Sequence, residues 1–134
     1  MFLRTDQMCI TEIYKTIDWI TPLEKKVLNL AVQKRPECVE SVILFGSRAR
    51  KCSRESSDID IAFVFCDTEK RSLAMDSALS SIAYDISHEI CDDLIDIQIV
   101  PIYKTNQMSA LYTNIKKEGI VLWLKDRTQQ LMMN

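Results

Sequence analysis

Leu44-Phe45-Gly46-Ser47-Arg48-Ala49-Arg50, running on through a polar loop to Ser57-Asp58-Ile59-Asp60-Ile61, is the stretch from which the fold reads outward. A Gly-Ser pair closes one apolar run, and two aspartates open the next. Glycine lets a backbone turn sharply and approach a ligand closely. The free N–H groups of a helix starting at such a turn suit an anion such as phosphate. Asp58 and Asp60 are two apart, so on a strand both carboxylates leave the same face. Hard oxygen ligands of this kind suit Mg²⁺ that also holds substrate phosphates. An anion cradle followed by paired carboxylates implies nucleotide chemistry.

The flanking residues give the stretch its scaffold. Val39 to Phe45 is a short apolar run rich in β-branched residues, read as a strand ending at Gly46. Ser47 to Cys52 reads as a short helix and Ser53 to Ser57 as a loop. Asp58 to Cys66 is the second strand. Beyond Asp60 it is apolar at Ile61, Ala62, Phe63, Val64 and Phe65, which predicts a central strand covered on both faces.

Upstream, Cys9, Ile13, Ile17 and Ile20 recur at helical spacing between Asp6 and Ile20. Thr21-Pro22-Leu23-Glu24 then carries a capping threonine, a first-turn proline and a capping-box glutamate. The helix it starts presents Leu23, Val27, Leu30 and Ala31, and ends before Pro36. Downstream, Met75, Leu79, Ile82, Ile86 and Ile90 put a long amphipathic helix over 69–91. Ile95 to Val100 alternates as a third strand, with Ile95, Ile97 and Ile99 facing one way and Asp96, Gln98 and Val100 the other. A helix over 107–117 turns Met108, Leu111, Tyr112 and Ile115 inward. Gly119 stops it, and Ile120 to Leu124 is a last strand. The expected fold is α/β (α+β): a small mixed sheet of about four strands flanked by helices. It forms a single domain over 1–134, with N-terminal helices at 6–35, a core at 39–124 and a loose tail at 125–134.

Composition narrows the partners. At 134 residues, 47% hydrophobic and 27% charged, the chain is an ordinary globular one with enough length for a real core. A net charge of −2 leaves no overall basic field, so strong DNA or RNA binding is not expected. The local cluster Arg48, Arg50, Lys51 and Arg54 is sufficient for one triphosphate. Five scattered cysteines without a C-x-x-C pair, and no apolar run of membrane-spanning length, indicate free thiols and a cytoplasmic protein away from membranes. With His88 as the single histidine, zinc does not fit.

Asp60 is the residue hardest to read as solvated, because Ile59 and Ile61 flank it and a buried strand follows. An unpaired carboxylate there costs several kcal/mol, about 2–7 for a buried polar group, and a metal ion removes that cost. Asp96, in Leu94-Ile95-Asp96-Ile97, is the natural third ligand if its strand lies beside the second. Two Mg²⁺ ions could then be held by Asp58, Asp60 and Asp96. Alternatively Asp96 acts as general base toward an attacking hydroxyl. Ser47 has two compatible readings, as helix cap and as hydroxyl donor to phosphate. Arg48 and Arg50, two apart on a helix, do not share a face. One of them at most reaches the triphosphate; the other is solvated or meets a partner.

Gly46-Ser47, ten residues, then Asp58-x-Asp60 resembles the G-S-x₁₀-D-x-D motif of minimal nucleotidyltransferases in the DNA polymerase β-like superfamily. Asp96 occupies the place of that family's third acid. Leu111-Tyr112-x-x-Ile115-x-x-Glu118-Gly119-x-Val121-Leu122 is similar to its closing helix and strand, so the likeness covers about residues 39–124. The resemblance implies a Mg²⁺-dependent nucleotidyltransferase using ATP, with Asp58, Asp60 and Asp96 catalytic and Gly46, Ser47, Arg48 and Arg50 at the nucleotide. It further implies an antitoxin that transfers AMP to a tyrosine of a HEPN-domain toxin. A binding-only antitoxin and transfer to a small molecule are the alternatives. Two departures stand out: Lys51 where the family often has glycine, and the additional apolar helix at 6–20.

Overall fold

A computed structural model of the protein describes residues 18–54, 57–66, 72–90, 96–103 and 110–125. Of the helix expected over 6–20, residues 6–17 lie outside the described residues, and 18–20 form a turn rather than helix; of the expected tail at 125–134, all but Lys125 lies outside them.

The first described helix, α1 (Pro22–Gln33), starts as its sequence dictates. Thr21 is the N-cap, with its hydroxyl accepting from the Glu24 N–H at 3.1 Å. The Glu24 carboxylate accepts in return from the Thr21 N–H and hydroxyl, closing the capping box. Its buried stripe is rotated from expectation: Val27, Leu28, Ala31 and Val32 are inside, with Leu30 only partly covered. The strands β1 (Val39–Phe45), β2 (Ile59–Phe65), β3 (Ile97–Tyr103) and β4 (Ile120–Leu124) form a mixed four-stranded sheet in the order β3-β2-β1-β4. β1 runs antiparallel to both β2 and β4, whereas β2 and β3 are parallel. The parallel pair needs a crossover, which the long helix α3 (Leu73–Ile90) supplies.

β2 is interior in the sheet, and its apolar run is explained by cover on both faces. Ile59, Ile61, Phe63 and Phe65 point into the main core with α1 and α3, alongside Leu28, Leu79 and Ile86. Ala62 and Val64 point the other way, against Ile43, Ile102 and Ile115 of the helix α4 (Ala110–Glu118). A fully buried Phe is worth about 1.5–3 kcal/mol relative to an exposed one, so the β2 aromatics anchor the strand firmly. β3 continues to Tyr103, past the expected end at Val100. Pro101 is tolerated because β3 is an edge strand, where a missing N–H breaks no interior ladder. Gly119 makes the tight step from α4 into β4, with its N–H on the Ile115 carbonyl at 2.9 Å.

Candidate active site

The site forms where β1 ends and β2 begins. Phe45 is still extended, and the chain then turns through Gly46 at φ +74° into the one-turn helix α2 (Gly46–Ala49). A left-handed conformation costs an L-residue about 1–2 kcal/mol, so glycine is favoured on backbone grounds alone. It is also required by space. The sheet register sets Phe45 opposite Asp60, and a Cβ on Gly46 would collide with Asp60 Oδ2 and lie 3.2 Å from its Cγ. The turn therefore rests directly on the carboxylate.

The N-cap of α2 is Phe45, which offers no side-chain cap, so Ser47 falls inside the first turn. This corrects the reading of Ser47 as a helix cap. Its second reading, a hydroxyl available to a phosphate oxygen, is compatible with that position.

Asp58 and Asp60 alternate with the fully buried Ile59 and Ile61, so both carboxylates leave the face opposite the main core. Asp58 is exposed and Asp60 half-buried. Burial pushes the Asp60 carboxyl above its ordinary range, and the neighbouring Asp58 charge adds to that rise, while Arg48 and then Arg50 draw it back down. Asp96 stands exposed just before β3, and its carbonyl accepts the Ile59 N–H at 2.9 Å. In the parallel register Ile59 faces Ile97 and Asp60 faces Gln98. Carried one residue back, that register sets Asp96 at the level of Asp58. The structure thus pairs Asp58 with Asp60 and brings Asp96 to the adjacent strand end. Among the described residues, no three His, Cys, Asp or Glu side chains close on one point as a metal site.

The two arginines part company, as their spacing requires. Arg48 is buried, with only 4% of its surface exposed. Its Nε and Nη2 donate to the Ser57 carbonyl at 3.1 and 2.6 Å, Nε reaches the Asp58 carbonyl at 3.3 Å, and Nη1 lies 3.3 Å from Glu24 Oε1. Read from sequence as a candidate for the nucleotide, it is instead turned inward against the protein's own backbone. Arg50 is exposed at the rim and pairs with Glu118 at the end of α4, 3.2 Å away. Lys51 follows at φ +60°, with its Nζ 5.6 Å from the centre of the Trp19 ring.

Sequence reasoning missed three partners. The sequence marks Glu24 as a capping residue only, whereas in the structure it shares one oxygen between Thr21 and Arg48. The Trp19 indole donates to the Arg48 carbonyl at 2.9 Å, and Glu118 meets Arg50 from 68 residues away. No local pattern announces contacts of that range.

A glycine turn seated on the Asp60 carboxylate thus closes one end of the mixed sheet. Residues 25–128 match the family described as Polymerase beta, Nucleotidyltransferase, and the chain belongs to it. Comparison with curated proteins finds no match. Among solved structures, a toxin–antitoxin crystal structure with AMP-PNP is similar at 22% identity and TM-score 0.53, over 79% of this chain and 77% of that one. A mutant of the MntA–HpeT toxin–antitoxin reaches TM-score 0.55 at 20% identity, over 79% and 77% of the two chains. A tri-AMPylated HEPN toxin from Shewanella oneidensis in complex with its MNT antitoxin gives 0.50 at 21%, over 81% and 76%. These likenesses establish the shared fold. No helix among the described residues is long and apolar enough to cross a membrane.

Proposed function

We propose that the protein is a Mg²⁺-dependent nucleotidyltransferase that moves AMP from ATP to a hydroxyl, a tyrosine of a HEPN-type toxin partner. The observation that carries the reading is the seating of the Gly46 backbone on the Asp60 carboxylate. A turn of the kind that suits phosphates and a carboxylate of the kind that suits a cation are then neighbours, which supports the reading. The similar structure of a tri-AMPylated HEPN toxin with an MNT antitoxin supports AMP as the group moved and a HEPN toxin as the partner.

The donor set fits Mg²⁺. Asp58 and Asp60 offer hard oxygens, and the rise of the Asp60 carboxyl, caused first by burial and then by Asp58, marks a site that a cation would relieve. Asp58 and Asp60 would hold it. Bound there, such an ion would supply positive charge to offset that of the phosphates.

The chain's own groups do the rest. Gly46 and Ser47 present backbone N–H groups and a hydroxyl to the phosphates. Arg50 is the guanidinium free to change partners, because an exposed pair with Glu118 is weakly held. The acceptor oxygen bonds to the α-phosphorus, the bond from that phosphorus to the pyrophosphate oxygen breaks, and pyrophosphate leaves. Asp96, exposed just before β3, takes the acceptor proton.

The test is incubation with ATP, Mg²⁺ and a HEPN partner, followed by intact mass of the partner. One adenylyl group or more should be gained with the parent protein and none with Asp60→Asn. Asp96→Ala should slow transfer by about 10²-fold or more while leaving nucleotide affinity much less changed. If Asp96→Ala protects cells as well as the parent does, with no modified partner, neutralisation proceeds by binding alone.

A further inference from the structure

α1, α2 and the loop before β2 meet at a single buried charge. Arg48 donates to two successive carbonyls, Ser57 and Asp58, from inside the protein, and Glu24 supplies the opposite charge at its other end. Glu24 is in turn held by the Thr21 hydroxyl and N–H through the capping box. The carbonyls so held belong to the residue before the acid pair and to its first member. A guanidinium is suited to this task because its planar donors can reach several acceptors at once, which an ammonium cannot do in the same geometry.

The contacts are placed to act on geometry as well as stability. Asp58 itself is exposed, so its carboxylate has no packing to orient it. What limits its position is the backbone, tied on one side by Arg48 and on the other by the Ile59 N–H to Asp96. Ser57 is anchored further by its N–H, which donates to the Arg54 carbonyl, and by its hydroxyl oxygen, which accepts the Arg54 N–H. Groups behind a ligand that fix its direction typically matter about 10–100-fold in metal affinity or activity.

We propose that Arg48, braced by Glu24, is a positioning residue for the carboxylate site: its guanidinium fixes the Ser57 and Asp58 carbonyls and so sets where the Asp58 carboxylate stands when a divalent cation and nucleotide bind. The inference rests on the function proposed above. It gives the α1 N-terminus a role beyond capping, since a change at Thr21 or Glu24 is transmitted to the acid pair through one side chain.

The test compares Arg48→Lys with Val32→Ala, a core change near the C-terminal end of α1, about two turns from Glu24. Amide hydrogen exchange at Ser57 and Ile59 is measured in each, together with ATP affinity by calorimetry with Mg²⁺ and with EDTA. Arg48→Lys should speed exchange at both amides and weaken Mg²⁺-dependent ATP binding by about 10-fold or more. Val32→Ala should lower the melting temperature yet leave both readouts unchanged. If Arg48→Lys does not fold, Glu24→Gln, which keeps an oxygen for Thr21 but loses the charge, carries the same comparison. Unchanged exchange at Ser57 and Ile59, or equal weakening of ATP binding by Val32→Ala, overturns the positioning role alone. A parent protein that binds ATP no better with Mg²⁺ than with EDTA overturns the proposed function, and this inference with it.

Discussion

The two sides of the one-turn helix α2 carry the same chemistry in opposite settings. On the inner side Arg48 meets Glu24, with both side chains about 95% buried; on the outer side Arg50 meets Glu118, with both open to water. The inner pair is expensive to desolvate and tolerable only because two backbone carbonyls share the guanidinium. The outer pair is screened and easily exchanged. One arginine can therefore serve as a fixed part of the frame while its neighbour remains available to a ligand. Similar residues two positions apart need not have similar roles.

That contrast can be broken most directly at Arg48. Arg48→Met should cost about 3–5 kcal/mol in chemical denaturation, because Glu24 is left charged and buried without its partner. A loss below about 1 kcal/mol would mean that the inner pair is no more valuable than a surface one.

A smaller effect is expected at Asp60, on which both arginines act. Its carboxyl is raised above the ordinary 3.8 by burial first and Asp58 second. Below pH 3.8 the group is protonated folded or unfolded and carries no penalty. As pH rises through the raised folded value the native state must ionise an unfavourable group, so its stability falls. Asp60→Asn should therefore raise the melting temperature at neutral pH, with a gain that fades toward pH 3.8. The gain is damped by water at this half-exposed site. Added Mg²⁺ should shrink it by stabilising the parent. An equal gain at all pH values would show that the carboxylate charge is not its source.

Lys51, which follows Arg50, separates backbone from side chain. At φ +60° it occupies a conformation that costs an L-residue about 1–2 kcal/mol, against about 0.5–1 kcal/mol for the greater chain entropy of glycine. Lys51→Gly should thus be more stable than Lys51→Ala by about 1 kcal/mol, both having lost the contact with Trp19. Equal stabilities would place the strain elsewhere in the loop.

The smallest change is expected on the outer side. Arg50→Gln should leave the melting temperature unchanged within measurement error, because its pair with Glu118 is exposed. Under the proposed function the same variant should weaken ATP binding. A clear loss of stability would make the outer pair structural and erase the distinction between the two arginines.

The sequence by itself determined the local features. Thr21, Pro22 and Glu24 specify a helix start through contacts within four residues, and the capping box appears as read. The apolar run of β2 required an interior strand, and the two-residue spacing put Asp58 and Asp60 on one face whatever their neighbours. Glycine before Ser47 likewise marks a backbone that turns, whereas the left-handed conformation of Lys51 is seen only in the structure. Tertiary structure decided what these features face. Whether Arg48 or Arg50 points inward depends on how α2 is rotated against α1 and α4, and a helix of one turn has no apolar stripe to set that rotation. The burial of Leu28 and Val32 rather than Leu23 and Leu30 has the same origin, since several neighbouring stripes of α1 are apolar enough to pack. Sheet order, the reach of Glu118 to Arg50 and the seating of Gly46 on Asp60 also join distant residues. Local spacing fixes which side chains share a face, but only the packing of the whole chain chooses which face is buried.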